Sequence, residues 1–329
     1  MSKRRTQKKK NRTRKFILLL FLTIIMLGTS TYAWFTANQV VTINSIDVQV
    51  EASNGLQIST DASTWKSVIT NADITTNAYT NNVNQFPSTV TAVSTDGTVN
   101  STTGRLNMYY GTVGTDSTTG NYNITAALET DAHGTTGNYV AFDIFLRVDQ
   151  ARTIYLTSDS RVVASTGSDD KGLKNAARVA FVKQGTGAST STAAQLIALN
   201  NGIPAKAIIW EPNIEAHSSL VVNSVAPEYN VTLASGTNTA YRGVNGPITT
   251  AVDLKALVNG TNTTNTTAVT PDILTTSTNT QYKTAFSLAA GVTKMRVYMW
   301  IEGQDIDCEN NATGSNITFD VQLSTQSSA

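Results

Sequence analysis

The chain has 329 residues, 40% of them hydrophobic but only 14% charged, so its solubility rests on Thr, Asn and Ser, a balance closer to exposed β surfaces than to a cytosolic enzyme. The net charge of +1 conceals a division, because nine of the 24 Lys and Arg lie within residues 1–15 and no acidic residue precedes Asp47. The remainder is acidic and repels phosphate backbones, which argues against a nucleic-acid partner, and a single cysteine, Cys308, excludes an intrachain disulfide.

Residues 1–15 read as a basic cytoplasmic segment, and residues 16–35 as an N-terminal hydrophobic helix that is either a signal peptide or a membrane anchor. Thr31-Tyr32-Ala33 offers a small-x-small site for a signal peptidase, with cleavage after Ala33. Counted from Phe16 to Phe35, the same stretch is long enough to span a bilayer, with Tyr32, Trp34 and Phe35 as an outer aromatic belt. Either way the membrane is engaged through 16–35, and residues 36–329 are expected outside the cell, secreted or held at its surface.

In the exported body, Val40 to Val50 is a β-branched run whose alternation breaks at Asn44-Ser45, predicting a strand with a bulge. Period-two alternation predicts core strands at 140–148, 295–301 and 317–323, with Asp143 and Arg147 on the solvent side of the first. Weaker strands are expected at 154–157, 178–182, 206–210, 219–223 and 229–233, and short helices at 192–199 and 251–258. The stretches 71–137 and 234–284, rich in Thr, Asn, Ser and Gly, read as long surface loops inserted between strands. The expected class is all-β, an antiparallel β-sandwich with long Thr/Asn-rich loop insertions.

Chemistry-bearing motifs are few. His133 and His217 stand in different neighbourhoods, and no His-Glu-x-x-His, Gly-x-Ser-x-Gly, phosphate loop or dinucleotide fingerprint occurs, so no enzyme is expected and no cofactor is required. Glu302, Asp305, Asp307 and Glu309 offer oxygen ligands to a calcium ion, although the spacing is not that of an EF-hand. The alternative is a polar turn after a core strand, with Trp300 packed on that strand's outer face. Cys308 reads as a semi-buried structural thiol.

Thr31-Tyr32-Ala33-Trp34-Phe35-Thr36 resembles the signal-to-mature junction of the TasA/camelysin family of Gram-positive biofilm-matrix proteins, in which cleavage precedes the Phe. Ile209-Trp210-Glu211-Pro212-Asn213, with His217, and Met299-Trp300-Ile301-Glu302-Gly303-Gln304-Asp305-Ile306-Asp307-Cys308 resemble segments of secreted Firmicutes proteins with that kind of N-terminus. The resemblance implies a jelly-roll-like sandwich and a fibre or matrix subunit that self-associates when residues 36–50 of one copy add a strand to the next. Two other readings stay open: those residues are the first strand of their own sandwich, or the body is a surface adhesin or glycan-binding domain that does not polymerise.

Overall fold

The computed structural model describes residues 42–50, 55–76, 83–130, 133–165, 170–233, 241–309 and 315–327, the first of these through its backbone. All belong to one compact unit, Ala33–Ala329. The apolar segment 16–35 and the expected cleavage positions Ala33, Trp34 and Phe35 lie outside the described residues, among which no helix is long and apolar enough to cross a membrane.

Strands of four residues or more are β1 (Thr42–Val50), β2 (Met108–Thr115), β3 (Tyr122–Glu129), β4 (Val140–Val148), β5 (Arg152–Leu156), β6 (Arg161–Ala164), β7 (Ala177–Gly187), β8 (Ile208–Glu211), β9 (Ile248–Asp253), β10 (Lys283–Leu288), β11 (Gly291–Ile301) and β12 (Asn316–Ser324). The helices are short: α1 (Asn71–Thr76), α2 (Ala193–Ile197), α3 (Ala226–Tyr229) and α4 (Leu254–Val258). The protein is therefore all-β in class, with mostly antiparallel pairing.

One sheet has the order β10-β5-β12-β1 and ends on the pair 68–69, with β6 also on β12. A second has 273–274, then β8-β7-β11-β4, then 84–85 and 133–134. A third, smaller sheet runs β9-β3-β2 to 93–94. The pairing of β1 with β12 is parallel, a departure from the expected antiparallel arrangement, and its register shifts between Ile43 and Ser45, where the broken alternation predicts a bulge.

Alternate residues of β4, β7 and β11 (among them Phe142, Phe181, Val297 and Met299) join Ile154, Phe286, Phe319 and Val321 from the first sheet in one apolar cluster. Phe181 meets Phe286 with ring centroids 5.3 Å apart. The other face of β4, β7 and β11 is not open. Tyr139, Ala180, Tyr298 and Trp300 pack there under Val93, Val99, Leu106, Met108 and Tyr241 in a second cluster. Every residue of β11 is buried. This second covering layer comes from the two stretches expected to be surface loops, which carry β2, β3 and β9. A sequence poor in charge but rich in Thr can form strands as readily as loops, because Thr favours the extended backbone.

The solvent-side placement of Asp143 is corrected by the same layer. Asp143 is 4% exposed and is held by Arg296 at 2.7 Å, with Lys294 at 3.4 Å. The segment 219–223, expected as a strand, is helical and continues through a π turn, Val221–Val225, into α3. Val221, Val225 and Tyr229 are buried at helical spacing, a pattern the β-branched Val-Val pair conceals. The π turn ends two residues before Pro227, whose missing N–H interrupts the regular ladder. That helix also replaces the start of the strand expected at 229–233. Of the expected helices, 192–199 appears as α2, closed by a capping box between Thr192 and Gln195, and 251–258 shrinks to α4 because 251–253 extends β9.

Candidate functional site

The two motifs that stand out in the sequence, 209–217 and 299–308, meet at one place. β11 delivers Met299 to Ile301, and the chain then turns through Glu302–Glu309, anchored by Glu302 N–H to the Ala176 carbonyl at 2.8 Å and Gly303 N–H to the Val93 carbonyl at 2.9 Å. β8 delivers Trp210 and Glu211. Between them stands Arg178 on β7, wholly buried, a residue that the sequence reading passed over as part of a short strand. Its only signal was a charge set against the apolar run 179–182.

Arg178 Nη2 donates to Glu211 Oε1 at 2.7 Å and to Asp305 Oδ2, and Nη1 donates to the carbonyls of Asn175 and Ala177 at 2.9 Å. The ring of Tyr241 lies 5.3 Å from the guanidinium carbon. Burial opposes the charge on Arg178, but Glu211 and Asp305 outweigh it and hold its pKa above the ordinary value. Trp210 Nε1–H donates to Thr275 Oγ1 at 2.9 Å, and Asn213 Nδ2 donates to the Val162 carbonyl at 2.9 Å, so each polar member of the 209–213 motif has a fixed partner.

The four acidic residues considered as calcium ligands diverge. Glu302 accepts from Trp300 Nε1–H and Gln304 N–H, both at 3.1 Å. Asp305 faces Arg178. Asp307 accepts from Ser218 N–H at 3.1 Å, and its other oxygen lies 2.7 Å from His217 Nδ1. Glu309, 2% exposed, lines a separate cavity. Among the described residues no three His, Cys, Asp or Glu gather as a metal-binding group. Each carboxylate is drawn to a different neighbour because the backbone turns through Asp305 and Asp307 and does not run extended there.

Burial pushes the Glu302 carboxyl up to about 8, against the bonds from Ser94, Trp300 and Gln304 and the charge of Arg178, which favour ionisation. Burial also raises Asp307, with the His217 bond working the other way. Cys308 is buried, and its thiol is pushed up by burial and then by Asp305, Glu302, Glu309 and Asp307. Such a thiol is a poor nucleophile.

Two cavities flank the turn. The larger, about 490 Å³, is lined by Asp170, Lys174, Asn175, His217, Ser219 and Glu309. The smaller, about 290 Å³, lies on the side of Gln304 and Asp305. The arrangement can hold charge in a fixed place and can admit a small polar molecule. Compared with family models, curated proteins and solved structures, the chain matches none.

Proposed function

We propose that the chain is an exported cell-surface structural protein, a biofilm-matrix or fibre subunit of TasA/camelysin type, which assembles by β-strand addition and is not an enzyme. In this reading the two larger sheets are the leaves of a jelly-roll-like sandwich, and the basic and apolar N-terminal segments deliver the body through the membrane for signal peptidase to release.

The observation that carries the reading is the position of β1. It lies inside its sheet, parallel to the C-terminal strand β12, with eight residue pairs from Thr42↔Asn316 to Val50↔Leu323. On its other side, among the described residues, only Val48 and Gln49 are paired, with Ile69 and Val68. A parallel pair cannot be closed by a hairpin, so β1 owes its place to the slot beside β12 and not to a tight turn. The same segment of another copy would meet the same ladder there, with main-chain bonds for affinity and alternate side chains for register.

The test exploits the register Gln49↔Gln322. Adjacent strands place paired Cα atoms within disulfide reach. The doubly substituted Gln49→Cys/Gln322→Cys protein, oxidised after export and run on a non-reducing gel, is expected to give a ladder of covalent oligomers. Cross-linked monomer alone, at concentrations where the unmodified protein forms fibres, would mean that β1 stays in its own sheet and strand addition is wrong.

A further inference from the structure

The smaller cavity beside the acidic turn carries unmet hydrogen-bonding capacity that the packing of the body does not require. Gln304 is 3% exposed, and neither its Oε1 nor its Nε2 has a hydrogen-bond partner. A buried amide left in this way costs on the order of 1–3 kcal/mol, and an apolar side chain of the same size would avoid the cost. Gln304 lies in the wall of the cavity, together with Arg242, Asn230, Asn259, Val258 and Ile306.

Arg242 is half-buried and uses only Nε, which donates to Thr266 Oγ1 at 3.2 Å. Its two terminal nitrogens make no ion pair among the described residues, and Asp305, which lines the same cavity, is committed to Arg178. The Arg242 stem is held against the chain at Gly260, where a side chain would collide with it at 2.3 Å. Gly260 has a φ of +77°, a conformation that favours glycine. The site thus offers one fixed cation and one buried amide, with further amides at Asn230 and Asn259 and apolar surface at Val258 and Ile306.

We propose that this cavity binds a single acidic sugar residue, its carboxylate on Arg242, its hydroxyls on the amides of Gln304, Asn230 and Asn259, and its C–H face on Val258 and Ile306. Three features select that class. A guanidinium fork matches a carboxylate with two parallel bonds. An amino acid would bring an ammonium group that finds no uncommitted carboxylate here, while sugar hydroxyls both donate and accept and so meet amides in either orientation. The volume, about 290 Å³, lies at the small end of ligand sites and suits one ring. The proposal does not rest on strand addition, since no residue of β1 or β12 lines the cavity.

The experiment is calorimetric titration of the full-length protein with glucuronate, glucose and inorganic phosphate, together with thermal unfolding of two variants. Glucuronate is expected to bind at least tenfold more tightly than glucose or phosphate. Arg242→Gln should remove that preference. Gln304→Leu should raise the melting temperature of the free protein and weaken glucuronate at least fivefold, a pair of changes that a merely misfolded variant does not give. Equal binding of phosphate would reduce the site to a bare anion contact, and equal binding of glucose would remove the role of Arg242. No heat with glucuronate, or binding indifferent to both substitutions, would mean that the cavity holds only water.

Discussion

Two buried ionic clusters lie on the same sheet and differ in their arithmetic. At Asp143 a single carboxylate on β4 meets two cations on β11, with Arg296 at 2.7 Å and Lys294 at 3.4 Å, and accepts from Val83 N–H at 3.3 Å besides. At the acidic turn a single cation, Arg178, serves Glu211 and Asp305, while Glu302, Asp307 and Glu309 are buried nearby. The first cluster holds its excess of positive charge on a lysine that burial already pushes toward the neutral form, so it can shed charge without losing a partner. The second holds an excess of negative charge around a guanidinium that cannot shed its proton. Burial of an ion is tolerated only while its partner remains, and the two sites should therefore fail differently.

The largest separation is expected from removing the central ion of each. Arg178→Met leaves Glu211 and Asp305 buried without their cation and should lower the unfolding free energy by about 3–5 kcal/mol. Asp143→Asn should cost about 2 kcal/mol, because the amide still accepts from Arg296 and Lys294 can release its proton. Urea denaturation of both variants at pH 7 measures the difference. Equal losses would mean that charge excess is irrelevant and that only packing volume counts.

Next in size is the response to pH. The Glu302 carboxyl stands at about 8 when folded, against 4.5 as its ordinary value, so between those limits the folded state holds a proton that the unfolded chain has released. Stability from this group is fully present below pH 4.5, falls by up to about 1.4 kcal/mol per pH unit as pH rises, and levels off above pH 8. Asp307, raised in the same way, adds to the fall, while Arg178 stays charged throughout. Melting temperatures between pH 5 and pH 9 should decline, and Glu302→Gln should flatten the decline whatever it does to stability at a single pH. An unchanged slope in that variant would move the effect to Asp307.

The contrast between the clusters also marks how far the sequence could be read. Alternation in 140–148, 295–301 and 317–323 reports burial of one face directly, because period two is the geometry of a strand, and these became β4, β11 and β12. It is silent on the second face. Asp143 and Trp300 look like solvent-side residues until the layer from 83–108 and 241–269 covers them, and nothing in Thr-rich, low-charge sequence separates a covering strand from a loop. The acidic turn was visible as a motif, as was Trp210-Glu211-Pro212-Asn213. Their meeting was not, since Arg178 lies 127 residues from Asp305 and 33 from Glu211, and local spacing says nothing of contacts at that range.

The finest separation concerns what sets the Glu302 carboxyl within its cluster. Trp300 Nε1–H donates to it at 3.1 Å, a bond worth more to the ionised than to the neutral form. Trp300→Phe keeps most of the buried ring and removes that donor. At pH 6, where Glu302 is protonated in the folded protein, the loss should be about 1 kcal/mol, the value of a neutral bond plus a small cavity. At pH 9 the loss should be larger, because the folded carboxyl is driven higher and the decline in stability continues past pH 8. The pH profile of Trp300→Phe should therefore diverge from that of the unmodified protein as pH rises. Parallel profiles would assign the tuning of Glu302 to Ser94 and the Gln304 N–H, and would leave the indole with packing alone.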